Sequence, residues 1–450
     1  MDEEISQLLR LPSVEKIRDF FNRWPLLTFC SVLQGKLASD SDSDEALELL
    51  ETSIKSVPEI ASALLSPPFA DFAAAAAFGA DERLQLLVLN AIETSSEISP
   101  MLLQMATERN STVGVRAARL VGLRLNRGGL SSLLPILPEL LILANPPTRD
   151  EVRMRIIEAV LIGSESSAEF FETVKADFIS QIIRTFLGDD LLLKLNALEL
   201  LERLGSFPSG KAFISHDSEC MRVLEAELTD PDLKGSVALV MASVGRVDSA
   251  RLWPTILGLI QSSQSEILLG LKSLTAIVAY PGGREKAKQD AVLVERLLLK
   301  IMDSSNEEVL KVVCDALGQV AGVIPIGHLI PKTCSLLLSK PFPEVRAHNW
   351  RAVTRMLYVM SAEQVAEVLL ITNSPVMKLL NDFVSEAAYD SRVAKWEFVK
   401  ALMGDAHLDR SVISTALGPQ LTIRLSEYAR GGFAWAPAQQ AAVVVERMTS

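Results

Sequence analysis

The stretch at residues 306–322, NEEVLKVVCDALGQVAG, holds the pattern on which the chain is built. Asn306 and the acidic pair Glu307 and Glu308 stand where a helix begins. There an Asn or Asp side chain caps free N–H groups, and negative charge meets the positive end of the helix dipole. Val309, Val312, Val313, Ala316, Leu317 and Val320 then recur at helical spacing, so one face is continuously apolar. A glycine follows at Gly322. Ahead of it, VERLLLKIMD is a second apolar helix. A helix pair of this kind cannot bury both apolar faces by itself, so it requires neighbours.

The neighbours are in the sequence. DERLQLLVLNAI (81–92), NSTVGVRAARLVG (110–122), RDEVRMRIIEAVLIG (149–163), DDLLLKLNALELLERLG (189–205), PFPEVRAHNWRAVTRML (341–357) and SRVAKWEFVKALMG (391–404) follow the same plan. With Leu84, Val113, Val152, Leu192, Leu233, Ile267, Val309, Val345 and Val393 as first apolar anchors, the steps are 29, 39, 40, 41, 34, 42, 36 and 48, with a mean of about 39. That period is close to the roughly 40–47 residues of armadillo and HEAT repeats. DSDEALELLETSI reads as an earlier copy, and ISQIIRTFLG and LLPILPELLIL as further companion helices. The fold expected is all-α: an armadillo/HEAT-like α-solenoid, a right-handed superhelix of about ten or eleven units. It is expected as a single array over residues 1–450, with capping helices in 1–40, a capping segment in 426–450, and a solvated loop from Ser39 to Glu45.

Composition agrees with helices. Of 450 residues, 49% are hydrophobic and 6% aromatic, too apolar for a disordered chain, and Leu and Ala outweigh Gly and Pro. The 44 basic residues face 56 acidic ones, a net charge of −12. No long Lys/Arg run supplies the basic face that nucleic-acid binding uses. Cys30, Cys220, Cys314 and Cys334 are scattered without a CxxC pair, as expected of free thiols in a reducing compartment. The start, Met1-Asp2-Glu3-Glu4, is acidic where a signal or transit peptide is basic. The uncharged stretch from Ala316 to Pro331 includes His328 and two prolines and is too short for a membrane span. The chain reads as a cytosolic monomer, with a nuclear fraction left open.

Several strings toward the C-terminus are more specific. VERLLLKIMDSSNEEVLKVVCDALGQV, SKPFPEVRA, TNSPVMKLLNDFV and AKWEFVKALMGD resemble the 26S proteasome non-ATPase regulatory subunit 5 family, as does FISQIIRTFLGDDLLLKLNALELLERLGSFPSGKAFI in the middle. Pro341-Phe342-Pro343-Glu344, then Asn373-Ser374-Pro375, then Glu397 to Leu402 follow the family order. The resemblance runs from Phe178 to Leu425, about half the chain. Before Phe178 only the repeat rhythm is shared, and GGFAWAPAQQAAVVVERM after Leu425 departs from the family. The resemblance implies a non-catalytic assembly chaperone of the proteasome regulatory base. Such a protein holds the C-terminal domain of one AAA ATPase subunit during assembly and is absent from the finished particle. Another interaction scaffold, such as a transport adaptor or a phosphatase-type scaffold, is the competing reading.

No motif points to catalysis, a cofactor or a metal. Gly205 to Lys211 (GSFPSGK) has phosphate-loop spacing, but a helix precedes it and Ala212 stands where the magnesium-binding hydroxyl belongs. It reads as a link between repeats. His216, Asp217 and Cys220 make a poor metal set and read as a surface turn. Ala73 to Ala77 reads as close helix packing, and Trp350 and Trp396 as core.

In armadillo-type repeats the last helix of each unit lines the concave groove. Importin-type members carry there a Trp followed four residues later by Asn, and no such ladder exists here. In register with the anchors stand the pairs Glu199 and Arg203, Asp315 and Gln319, and Arg351 and Arg355, together with Arg119, Glu158, Lys272 and Lys400. This mixed-charge row is the expected partner-binding face, suited to a folded domain carrying both signs of charge. Arg351 and Arg355 are expected to be exposed in the free protein.

Overall fold

Nine helices repeat the plan read at residues 306–322: α1 (Glu82–Glu93), α2 (Ser111–Leu133), α3 (Asp150–Ser164), α4 (Leu191–Leu204), α5 (Lys234–Ser243), α6 (Gln264–Ile277), α7 (Glu307–Val320), α8 (Pro343–Leu357) and α9 (Tyr389–Lys400). The computed structural model describes residues 4–5, 8, 13–37, 43–67, 69–94, 97–324, 338, 340–368, 370, 374–383, 386–405 and 407–434. Among these residues there is no strand, and the chain is an α-solenoid. No described helix is long and apolar enough to cross a membrane.

The chain divides into two compact units, residues 1–209 and 210–450. In the first, α1 packs on α2, α2 on α3 and α3 on α4. Shorter helices stand behind this row: Pro100–Ala106 against α2, Leu137–Leu143 against α3, and Ser180–Phe186 against α4. Ahead of the row, helices Val14–Arg23, Leu26–Leu37 and Ser43–Ser56 enclose Ile17, Phe20, Phe29 and Leu33. In the second unit the row runs α5, α6, α7, α8, α9, each packed on the next, with Leu252–Ile260 behind α5 and α6, and Ala291–Ile301 behind α7. A shared apolar core between two helix layers is the arrangement a repeat needs to bury faces that one unit leaves open.

Five of the nine starts are capped by a side chain. Asp81, Asn110, Asp190 and Asn306 accept hydrogen bonds from N–H groups two or three residues on, and Ser263 forms a reciprocal capping box with Glu266. The expectation that an acidic residue or Asn caps every repeat fails at α3, α5, α8 and α9, where Arg149, Leu233, Phe342 and Ala388 hold the position. Pro343 starts α8 instead, its missing N–H costing nothing in the first turn.

Counting from the cap also corrects the register. Leu84, Val113, Val152, Val309 and Val345 all stand three residues past the cap, and the last four are buried. Leu192 stands two past Asp190 and is 67% exposed, so the equivalent residue is Leu193. A one-residue slip turns a helical side chain by about 100°, enough to move it off the apolar face.

The glycines inside the repeat set the helix spacing. A Cβ on Gly122 of α2 would lie 2.8 Å from the Ala159 carbonyl oxygen and from Ile162 Cβ of α3. A Cβ on Gly163 of α3 would lie 2.7 Å from Leu125 Cβ and 2.8 Å from the Phe170 ring. The two glycines bring α2 and α3 into close contact. The alanine run is packed as expected, with Ala73, Ala76 and Ala77 buried.

Other expectations are revised. Ser43, Asp44 and Glu45 form the first turn of helix Ser43–Ser56 rather than loop, with negative charge at the dipole's positive end. Residues 39–42 lie outside the described residues, as do His328, Cys334 and Asn373. Helix Pro419–Gly431 runs through residue 426, so no structural boundary falls there. Gly205 to Lys211 spans the end of α4 and the first turn of helix Pro208–His216, with Gly210 buried inside that helix. No strand-to-helix phosphate loop is formed.

Candidate interaction face

Counted from the cap, Arg119, Glu158, Glu199, Lys272, Asp315 and Arg351 each stand nine residues on, in α2, α3, α4, α6, α7 and α8. Arg203, Gln319 and Arg355 follow one turn later. Side chains four apart share a helix face. Lys400 falls out of this register and instead lies over the Trp396 ring, 5.7 Å from its centroid.

In the first unit the row becomes a connected charge cluster. Arg203 of α4 donates through Nε to Glu165 just beyond α3, and its Nη1 lies 3.7 Å from Glu158 Oε1. Glu158 also feels Arg119 of α2 and Glu199 of α4. Burial raises its pKa above the usual carboxylate range; Arg203 and Arg119 oppose that rise, and Glu199 adds to it. Glu158, Glu165, Glu199, Glu202, Arg203 and Ser206 line an open cleft of about 460 Å³. Four carboxylates around one guanidinium favour a cationic surface of a partner. Glu165 and Glu202 were not legible as members. Glu202 is one turn beyond Glu199, whereas Glu165 lies in the connection after α3, where helix periodicity says nothing.

The second unit arranges its charges differently. Asp315 of α7 accepts from His348 Nδ1 at 3.1 Å and lies 3.9 Å from Arg355 Nη1, both on α8. One turn earlier Lys311 is clamped between Glu308 at 2.5 Å and Glu344 of α8 at 2.7 Å. These two hydrogen-bonded carboxylates raise the Lys311 pKa, and Lys311 in turn lowers that of Glu344. Arg351 is half-buried rather than exposed, and Arg355 is exposed but paired. The close approach of α7 and α8 at Gly318, where a Cβ would lie 3.1 Å from Ala352 Cα and 3.3 Å from Arg355 Cδ, brings Arg355 near Asp315. Lys272 is exposed on α6, and Gln319 is half-buried.

Deeper in this unit lies a polar group that periodicity does not reveal. Glu386 is buried and accepts from Arg346 Nη2 at 2.7 Å and Trp350 Nε1 at 3.1 Å. Lys395, 1% exposed, donates to the main-chain oxygens of Leu379 at 2.5 Å and Asp382 at 2.6 Å, closing the end of helix Pro375–Asn381. Trp350 is fully buried, as read from the sequence, while Trp396 is half-buried and donates to Ala429 O. Asp217 caps helix Ser218–Glu227 through the N–H of Cys220, and the thiols of Cys30, Cys220 and Cys314 are buried. Among the described residues no group of His, Cys, Asp and Glu is placed to hold a metal ion.

Stacked helices with closely packed glycines define an α-solenoid. Residues 85–223 match the model of a family described as proteasome non-ATPase 26S subunit. The match falls largely before Phe178, in the part where the sequence offered only repeat rhythm. A comparison with curated proteins gives no match. Among solved structures, importin β crystallised from ammonium sulfate is 12% identical, with 91% of this chain and 55% of that chain covered and a TM-score of 0.55. Importin β from polyethylene glycol gives 11%, 90%, 59% and 0.56. The karyopherin Kap121p, bound to the SUMO protease Ulp1p, gives 13%, 90%, 50% and 0.55. At these identities the likeness is one of fold, and this chain spans only 50–59% of those chains.

Proposed function

We propose that this protein is a non-catalytic assembly chaperone of the 26S proteasome regulatory base, holding the C-terminal domain of an AAA ATPase subunit against its row of charged helix faces. The family match at residues 85–223 carries the reading. It covers the helices that hold Arg119, Glu158, Glu199 and Arg203, so the matched segment and the first charge cluster coincide. A surface with both signs of charge suits a folded domain whose own charges alternate. The sequence resemblance between Phe178 and Leu425 adds support from the other half of the chain. A transport adaptor is the alternative; the missing Trp/Asn ladder disfavours it.

The test is affinity capture of the tagged chain from cell extract with mass spectrometry of the bound proteins. Base ATPases without mature core particle are the expected yield. Recovery of transport cargo without any ATPase would overturn the proposal.

A further inference from the structure

A second cleft, of about 560 Å³, opens in the first unit where α2 breaks. Gly129 has φ +59° and ψ −146°, a conformation that only glycine adopts without steric cost, and it interrupts the helix four residues before its end. The interruption brings Ser132 over Gly128, where a Cβ would stand 1.8 Å from Ser132 Oγ. The hydroxyl therefore occupies space that any other residue at 128 would fill.

The polar side of the cleft is cationic. Arg124 is buried and donates to the main-chain oxygens of Glu97, at 2.5 Å, and Ile92, which fixes its guanidinium at the floor. Arg127, one turn on, lines the same cleft, is exposed and makes no ion pair among the described residues. Ile98, Pro135 and Ile136 supply an apolar wall. Glu97 also lines the cleft, so the three charged side chains sum to one positive charge. In a chain of net charge −12, general attraction of anions is absent, and selectivity has to come from the site.

We propose that this cleft binds a phosphomonoester, its phosphate held between Arg127 and the Ser132 hydroxyl above Arg124, and its carbon stem against Ile98, Pro135 and Ile136. The Arg127 guanidinium fork matches two phosphate oxygens, the Ser132 hydroxyl supplies a further donor, and the fixed charge of Arg124 below suits the two negative charges of a phosphomonoester better than the single charge of a carboxylate. The ester has two sources, a small metabolite or a phosphorylated side chain of a protein.

The full-length protein is titrated calorimetrically with phenyl phosphate, with a short peptide carrying phosphoserine between leucines, and with the same peptide unphosphorylated. Both phosphorylated probes should bind and the unphosphorylated peptide should not; the tighter of the two identifies the source. Arg127→Glu should weaken binding at least about tenfold with an unchanged melting temperature. Arg109→Glu, an equal charge change at an exposed position in the turn before α2, should leave binding intact. Ser132→Ala should weaken it by a smaller factor. Absence of binding at millimolar probe, or equal binding by Arg127→Glu and the wild type, would overturn the proposal.

Discussion

Replacing Lys395 by methionine gives a pH-dependent difference in stability whose size follows from its surroundings. Burial is the main cause that pushes the Lys395 pKa from 10.5 down to about 8, against the opposing pull of Glu386 and Asp382 and with a further push from Arg346. Below pH 8 the amine is charged in both folded and unfolded chains, and the folded state bears the cost of burying it. Between pH 8 and 10.5 the folded state has released its proton and the unfolded state has not, so the unfolded state binds more protons and stability rises with pH. From pH 7.5 to 9.5 the gain is about 2 kcal/mol. The thiols of Cys30 and Cys220 act the other way. Burial raises their pKa to about 11 and 12, so above pH 9 the unfolded state alone loses thiol protons and stability falls. That contribution is common to wild type and Lys395→Met and cancels in their difference. Loss of the bonds to Leu379 and Asp382 also destabilises the variant, by an amount nearly constant with pH, because the neutral amine still donates. Urea unfolding followed by tryptophan fluorescence, with Trp350 and Trp396 as nearby reporters, measures the difference at both pH values. It should widen by about 2 kcal/mol in favour of wild type at pH 9.5. A difference independent of pH would refute the buried charge.

Three further outcomes are expected. Gly122→Val forces a side chain against the Ala159 carbonyl and Ile162, and thermal unfolding should show a loss of about 1–3 kcal/mol. Arg203→Ala leaves Glu158, Glu165, Glu199 and Glu202 facing one another, so its melting temperature should fall below wild type at pH 7.5 and recover toward it at lower pH, as Glu158, whose pKa burial raises, takes up a proton. Lys211→Ala should leave partner binding and any trace ATPase signal unchanged, since Lys211 lies on a helix over the Tyr280 ring; saturable ATP binding lost in that variant would contradict the reading of residues 205–211.

The fold was legible in the sequence because the repeat writes itself in three independent signals: cap chemistry, apolar spacing and a closing glycine. Where one signal was weak the register slipped. At Asp189-Asp190-Leu191-Leu192-Leu193 two acids and three leucines offer several alignments, and only the cap at Asp190 decides among them. Helix position was readable for most of the charged row because four-residue spacing is a backbone property. Pairing was not. Which carboxylate Arg203 reaches, and that Asp315 meets His348 and Arg355, depends on the distance between neighbouring helices, which glycines at 122, 163 and 318 set through contacts far apart in sequence. The buried Lys395 was hidden for the same reason, since its partners belong to the end of another helix.

The most direct test of the interaction scaffold is the affinity of the full-length protein for the isolated C-terminal domains of the proteasomal AAA ATPase subunits, measured one by one by biolayer interferometry. One domain should bind, and Arg351→Glu with Arg355→Glu should weaken it more than about tenfold, while equal reversals away from the row should change little. If no ATPase domain binds, the protein is not a chaperone of the base; if the double reversal binds as tightly as wild type, the partner sits elsewhere on the molecule.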